Sequence, residues 1–586
     1  MQTRIGIDIG GTFTDLVFMG SEGQVLRAKV LSTPDDYSEG IAQGLAGAVR
    51  EGLDLTGIER ILHGTTVATN ALLERKGART AFVTTVGFEH LLHLRRQTRA
   101  HLYRPCAAWP EPLVPLERSH GVRGRIGPAG ELEPLDLDTL PQIDAEAVAV
   151  CLLHAYRDAT HERAVAEELR LRLPHAHVVA SHEVAPEFRE YERASTTAAD
   201  AYLGPVVSGY LRALSAAAAS ARLPAPLVMR SSGGVATPAE AAEHPATILV
   251  SGPAAGVVGA ARLAVLAGNE NAIAFDMGGT STDVCLIADS HAERASERTI
   301  AGVPIRLPTV DLHTVGAGGG SIVWRDAGGA LRVGPQSAGA DPGPACYGRG
   351  GTQPTVTDAN LLLGRLPDTL AGGVELDRAA AERALAGIDP AAVVDVVNAE
   401  MLRALRVVSV ERGHDPAAFA LVAYGGAGPL HACELADELG ITTVIVPEAA
   451  GVLSALGLVV SEERRDAVRS YLVPLAEAGE LPPAGEADLR YEGQSFELTV
   501  PLQDDLAEAF HRAHAEQYGF AEREREIELV AVRTADIRPG PDLDLPRTEQ
   551  TTVAGPSLLA LPGATCWLAP GWVGARDGRM LRLTKQ

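Results

Sequence analysis

The sequence predicts an α/β protein built from two copies of one supersecondary unit facing each other across a cleft, followed by a small β-containing domain. Three observations carry that expectation. Asp8-Ile9-Gly10-Gly11-Thr12-Phe13-Thr14-Asp15 and Asp276-Met277-Gly278-Gly279-Thr280-Ser281-Thr282-Asp283 share the pattern Asp-x-Gly-Gly-Thr-x-Thr-Asp. Each copy follows one apolar run (Ile5, Ile7, Ile9; Ala272 to Phe275) and leads into another (Leu16-Val17-Phe18; Val284 to Ile287), so each reads as strand, tight turn, strand. Finally, 586 residues at 46% hydrophobic and 22% charged describe a globular chain of about three or four domains. We place these at 1–185, 186–473 and 474–586.

Taken in order, a helix is expected to begin at Thr33-Pro34, with Ile41, Leu45 and Val49 on one face and Gly52 as its stop. In "ILHGTTVATNALLERKG", Ile61-Leu62 end a strand, Thr65 or Thr66 caps a helix and Gly77 stops it. Arg79 to Val86 reads as a strand. Arg95, Arg96, Gln97 and Arg99 form a basic cluster, either a solvated loop or a contact to carboxylate or phosphate; His90 and His93 lack a third metal ligand and read as structural. Ala147 to Leu153, Glu162 to Leu171 and Val178-Val179 suggest a βαβ unit closing the first domain. "SGPAAGVVGAARLA" (251–264) is a Gly-rich helix start, serving either a nucleotide or close helix packing. Gly318-Gly319-Gly320 can approach a phosphate or form a flexible turn. Gly334 to Thr357 is too rich in Gly and Pro for helix, and helical patterning returns between about Ala379 and Arg412. "LVAYGGAGPLHACELADELG" (421–440) is strand, glycine turn, helix, and a Pro/Gly/Glu-rich stretch at 474–489 marks the last boundary.

The hairpin turns carry the chemistry. Glycine lets a ligand approach the backbone amides, which together with the Thr280 and Ser281 hydroxyls can wrap an anion, while a flanking carboxylate suits a hard cation such as Mg²⁺. A nucleoside triphosphate, with one hairpin on each side of its phosphates, fits that arrangement. An ordinary P-loop is excluded, since no G-x-x-x-x-G-K-[ST] occurs. The net charge of −24, with no basic stripe, argues against a nucleic-acid partner. Six scattered cysteines without a C-x-x-C pair read as thiols of a reducing compartment. The uncharged stretch Ala246 to Ala261 is too short to span a bilayer, and the first strand begins almost at Met1, so a cytoplasmic location without membrane contact is expected.

Paired hairpins of this kind resemble those of the actin-like ATPase superfamily of acetate and sugar kinases, chaperone ATPases and actin. "DIGGTFTD", "HGTTVATNALLER", "SGPAAGVVGA", "DMGGTSTDV", "SAGADPGPACYGRGGTQPTVTDANLLLGRL" and "GGAGPLHA", in that order, resemble the hydantoinase A/5-oxoprolinase family, whose members include ATP-binding subunits of N-methylhydantoinase, caprolactamase and ketone carboxylases. The resemblance implies duplicated ribonuclease H-like domains binding ATP and Mg²⁺. Asp8 and Asp276 would hold Mg²⁺, directly or through water, and are the candidate catalytic residues. Gly10, Gly11, Thr12, Thr14, Gly278, Gly279, Thr280 and Ser281 would bind the phosphates, with Asp15 and Asp283 steadying the turns. Gly425, Gly426 and Gly428 would border the adenosine. By the same likeness His63, Thr65 and Asn70 contact substrate or phosphate; from the residues alone His63 is equally a capping histidine. Two positions depart from the family pattern: Arg95 stands where a glycine precedes the Arg-Gln pair, and Asp200 where an asparagine precedes Ala-Tyr-Leu.

The implied activity is ATP-dependent phosphorylation and opening of a small cyclic amide of hydantoin, 5-oxoproline or lactam type. The alternatives are a ketone carboxylase subunit that phosphorylates an enolate and, in another class, a non-catalytic nucleotide switch. No H-E-x-x-H or G-x-S-x-G motif supplies a group to activate water. The resemblance implies the partner, since members of the family pair with a B-type hydantoinase/oxoprolinase subunit.

Overall fold

The computed structural model describes residues 3–9, 13–20, 25–31, 47, 49–50, 57–370, 374–543, 545 and 547–586. The helix expected between Thr33 and Gly52 lies outside them apart from residues 47, 49 and 50. The first sheet contains β1 (Thr3–Ile9), β2 (Phe13–Gly20), β3 (Val25–Leu31), β4 (Ile58–Thr65) and β5 (Pro226–Met229) in the order β5-β4-β1-β2-β3. The second contains β6 (Ala272–Met277), β7 (Thr282–Ala288), β8 (Ala420–Tyr424) and β9 (Thr443–Pro447) in the order β7-β6-β8-β9. In both, the hairpin is antiparallel and its first strand lies parallel to a third strand, which is parallel to a fourth. That order is the ribonuclease H-like one, so the duplication expected from two octapeptides extends through the topology.

The alternation in β1 explains its burial. Ile5, Ile7 and Ile9 join Leu16, Phe18 and Ile61 in one cluster on one face, which leaves Gly6 and Asp8 on the other. Helices α1 (Val67–Leu73), α2 (Glu190–Ser220), α3 (Ser251–Leu266), α4 (Val356–Leu362), α5 (Gly428–Leu439) and α6 (Leu453–Val459) surround the sheets. The helices α3 and α6 cross between the sheets at backbone contact. A Cβ on Gly457 would stand 1.9 Å from the Ala255 carbonyl oxygen, and one on Gly6 2.0 Å from that of Ala455. Gly457 thus lets α6 meet α3 and Gly6 lets it meet β1, while Gly259 of the Gly-rich stretch lies against Leu453 of α6. Val17, Met19 and Leu62 of the first sheet share one core with Phe275, Met277 and Val422 of the second.

Residues 80–180 add a five-stranded sheet containing the expected βαβ unit, with Ala147–Cys151 parallel to His177–Ala180 and the Thr160–Arg172 helix between them. Two sheets reach across the expected domain divisions. The first sheet draws β5 from beyond residue 185, so that boundary divides the chain but not the sheet. The four-stranded C-terminal sheet begins with Glu463–Pro474, ahead of the expected boundary at 474. The tail then leaves that sheet: β10 (Met580–Lys585) pairs antiparallel with β9 and extends the second core sheet. The Gly/Pro/Glu stretch signals a loop, and the long-range pairing of the tail carries no local signal.

Both departures from the family pattern have a structural correlate. Arg95 adopts φ +54°, a conformation that favours glycine. Its guanidinium lies over the Trp109 ring and donates to the Pro110 carbonyl at 2.6 Å. Asp200 is fully buried and uses its acceptor capacity, taking a hydrogen bond from the Ala246 amide at 2.7 Å.

The crossing gives a contrast between glycines. Gly457→Ala should lower stability by about 3 kcal/mol, because the new methyl group meets a backbone oxygen that cannot rotate away. Gly209 lies within α2 with open space around it. Gly209→Ala should gain roughly 0.5–1 kcal/mol from helix propensity. Calorimetric unfolding midpoints of the two variants, shifting in opposite directions, check this.

Candidate active site

Register places the acidic residues. Asp8 lies directly opposite Asp15 in the β1–β2 hairpin, and Asp276 opposite Asp283 in the β6–β7 hairpin. Like charges at such positions destabilise a sheet unless something cationic joins them. On the first hairpin Lys29 of β3 donates to Asp15 Oδ1 at 2.7 Å and to the Gly451 carbonyl at 3.0 Å, reaching from one lobe to the other. No motif marked this lysine.

Asp8 is packed against the N-terminus of α3. A Cβ on either Gly64 or Gly252 would stand 2.9 Å from Asp8 Oδ1. The Ser251 hydroxyl ties that helix to β4, accepting from the Thr65 amide at 3.1 Å and donating to the Thr65 carbonyl at 2.9 Å. The segments around His63 and Ser251 thus meet in the fold. Asp8 Oδ1 is closed to solvent and has no hydrogen-bond partner. Burial, with Asp15 beside it, pushes the Asp8 carboxyl up to about 7. Burial, with Asp283 and then Asp8 nearby, pushes Asp276 up to about 8. The hairpins therefore face each other closely enough for their carboxylates to interact.

Among the described residues no group of three or more His, Cys, Asp or Glu could hold a metal ion. One carboxylate from each hairpin, with an unpartnered buried oxygen on Asp8, instead fits Mg²⁺, which keeps waters and phosphate oxygens in its coordination shell. Gly10, Gly11 and Thr12 lie outside the described residues. Thr14 is buried in β2.

The second turn is open: Gly279 and Thr280 are exposed, and Gly278 and Ser281 half-buried. Its back is held by the glycine run, since the amides of Gly319 and Gly320 donate to the Gly278 and Gly279 carbonyls at 3.0 and 2.7 Å. A Cβ on Gly318 would stand 2.7 Å from the Gly279 backbone. That run packs on the turn, in place of the phosphate approach or flexible turn considered from sequence. Gly425, at φ +79°, leaves no room for a side chain beside Asp276 Oδ1, at 2.3 Å from the Cβ position. Gly426 is exposed with open space around it, while Gly428 is buried at the start of α5.

His63 is displaced from the cleft by the two-residue period of β4. It pairs with Ile7, whereas Gly64 pairs with Asp8, so its side chain leaves from the opposite face. Both ring nitrogens are engaged, with the Ile7 carbonyl at 3.1 Å and the Tyr210 hydroxyl at 2.6 Å, and burial lowers its pKa to about 4. This is a neutral strut between sheet and α2, contrary to a substrate contact. Thr65 is also fully buried, and its hydroxyl accepts from the Val67 amide at 3.2 Å. The N-cap position of α1 is Thr66, which makes no side-chain capping bond, so Thr65 lies one residue ahead of the cap. Asn70 stays near the cleft, donating to the Thr66 hydroxyl at 3.3 Å, and Thr66 in turn donates to the Ile9 carbonyl at the edge of the first turn.

Beneath the second turn a polar chain links three helices. Asn360 of α4 meets His431 of α5 at 3.3 Å, His431 meets Asn398 at 2.7 Å, and Asn398 donates to Glu434 at 2.8 Å. It braces the Gly425–Gly428 loop against the segment that supports the glycine run through Thr357.

Models of two parts of one family match the chain, the hydantoinase/oxoprolinase N-terminal region over residues 4–173 and hydantoinase/oxoprolinase over 193–467. Caprolactamase subunit alpha of Pseudomonas jessenii is 34% identical, over 93% of this chain and 89% of its own. The crystal structure of ATP-dependent caprolactamase from that organism superposes with a TM-score of 0.88 at 30% identity, covering 99% of this chain and 100% of that one. Nucleotide-free acetone carboxylase gives 0.81 at 25% identity, covering 100% and 99%. Arabidopsis thaliana 5-oxoprolinase 1 is 35% identical over 92% of this chain, which spans 50% of that protein.

The raised carboxyls predict a signed pH effect. A carboxyl with a higher pKa folded than unfolded holds its proton preferentially in the native state, so stability falls as pH rises from about 4 through the folded value. Without metal, the wild type should therefore lose stability between pH 4 and 8. Asp8→Asn and Asp276→Asn should each melt higher than wild type at pH 8.5 in chelator, with the gap closing near pH 4. Mg²⁺ at pH 8.5 should raise the wild-type midpoint more than either variant's. Parallel melting curves across that range would remove the assigned burial cost.

Proposed function

Because this chain belongs to the hydantoinase/oxoprolinase family, we propose that it binds Mg²⁺-ATP between the two hairpins and transfers the γ-phosphoryl group to the carbonyl oxygen of a small cyclic amide. The observation that carries this is the facing pair of hairpin aspartates, one with a buried, unpartnered oxygen. Magnesium would neutralise phosphate charge there. The second turn, held open by the glycine run, offers its amides to phosphate oxygens, and Lys29 ties the lobes together beside Asp15. The exposed Gly426 leaves space for the flat face of adenosine.

Transfer forms an O–P bond at the amide oxygen and breaks the bond to ADP, leaving an electrophilic imidate carbon. Water adds to that carbon, and the ring C–N bond breaks as nitrogen is protonated. A second water releases phosphate from the resulting acyl phosphate. No H-E-x-x-H or G-x-S-x-G motif in the chain supplies a base for either water. A B-type subunit is proposed to supply it, in a hetero-oligomer. The names caprolactamase subunit alpha and 5-oxoprolinase support amide hydrolysis. The likeness to acetone carboxylase supports a second reading, phosphorylation of an enolate oxygen before carboxylation.

Substrate-stimulated ATP hydrolysis separates the two readings. Hydantoins, 5-oxoproline or lactams should stimulate the complex, and ketones with bicarbonate should not; the reverse result selects carboxylation. Asp8→Asn and Asp276→Asn should each reduce turnover by at least a hundredfold in folded protein. Gly426→Val should weaken ATP binding tenfold or more by calorimetry, and unchanged affinity would move that loop away from the adenosine. The isolated chain should bind Mg²⁺-ATP without completing turnover, which a B-type polypeptide should restore.

A further inference from the structure

We infer that a cavity of about 400 Å³, formed where four distant segments meet, is the pocket that holds the ring amide, and that it recognises the cis edge of the amide through Arg306 and Glu297. This rests on the hydrolase reading above and assigns it a substrate site. Arg96 comes from the segment after the 80–85 strand and Glu192 from the first turn of α2. Glu297 and Arg306 come from the excursion that follows β7, and Phe496 and Glu497 from the loop between the Glu486–Tyr491 and Leu498–Pro501 strands of the C-terminal sheet.

The hydrogen bonding of the walls is uneven. Arg96 closes a bidentate fork on Glu192, with both bonds at 2.7 Å. Arg306 is 5% exposed and anchors its Nε on Glu187 at 2.9 Å. Its two terminal nitrogens, however, stand 3.4 Å from Glu297 Oε2 and from Glu497 Oε1, the outer limit of a hydrogen bond. A donor and an acceptor thus lie side by side, each loosely engaged. Burial and the neighbouring Glu192 also raise the Glu297 carboxyl above its ordinary value. Arginines and carboxylates are already matched around the cavity, so a charged ligand must break an existing pair. A neutral ligand with one donor and one acceptor on the same edge can insert between Arg306 and Glu297, replacing only their 3.4 Å contact and leaving the shorter Arg306–Glu187 and Arg96–Glu192 bonds in place.

A ring amide is such a ligand. Small rings force the cis form, which puts N–H and C=O on one edge, whereas an open-chain secondary amide prefers trans by about 2.5–4 kcal/mol and places them on opposite edges. The carbonyl would accept from Arg306, the N–H would donate to Glu297, and the ring methylenes would lie against the half-exposed Phe496. From the residue next to the wall, contacts run on to the second hairpin. Arg298, next to Glu297, donates to Thr314 at 2.8 Å, and Thr314 donates to Asp283 of the second hairpin. The strand Arg298–Ile300 packs on α1, which follows the first hairpin's partner strand.

Ligand-observed NMR on the full-length chain with Mg²⁺ and a non-hydrolysable ATP analogue tests this, using 2-pyrrolidone, 5-oxoproline, hydantoin, ε-caprolactam and open-chain N-methylacetamide. At least one ring amide should bind and N-methylacetamide should not. Glu297→Ala and Phe496→Ala should each weaken ring-amide binding tenfold or more while analogue affinity stays within twofold. Arg306 is left intact because its buried bond to Glu187 supports the fold. Wild-type ring-amide affinity in both variants would overturn the pocket and leave the hydrolase reading standing. Equal binding of N-methylacetamide would overturn recognition of the cis edge. A wild-type chain that binds no ring amide would overturn the hydrolase reading and the pocket with it.

Discussion

Everything in the cleft follows from putting carboxylates opposite carboxylates on buried hairpins. Asp8 faces Asp15 and Asp276 faces Asp283, and neither pair can be fully charged in that setting without a cation. Lys29 answers for Asp15, and the remaining charge is answered by Mg²⁺ in the proposed complex. In the proposed complex Mg²⁺ would offset the cost that burial places on charging these carboxylates. The glycines around them follow from the same requirement. Gly64, Gly252 and Gly425 exist in that form because an aspartate oxygen occupies the place of their side chains.

The duplicated lobes were legible because two signals coincide in each copy: a dense Asp/Gly/Thr turn and a two-residue apolar period in the flanking strands. The site was legible only where a residue belongs to such a turn. His63 misleads because its motif marks the right strand, while the face it occupies depends on pairing with β1, which a local pattern does not contain. The glycine run at 318–320 misleads for a related reason, since its purpose is set by the Gly278 and Gly279 carbonyls behind it. Lys29 was silent as a lone basic residue on a strand. Arg95 was informative in the opposite sense: an arginine in a glycine's place does adopt a glycine's backbone angle.

The C-terminal strand has a consequence for synthesis and quality control. Strand β9 finds its outer neighbour in β10, and the whole four-stranded sheet at 463–538 is made between the two. Until β10 arrives, β9 is an unprotected edge of Val444, Ile445 and Val446, the kind of strand that recruits other chains. The second lobe is thus exposed to mispairing for as long as the intervening polypeptide takes to emerge and fold, whereas the first lobe needs nothing beyond the 235–236 strand to complete its sheet. Loss of the tail strand would leave that apolar edge open in the finished chain as well.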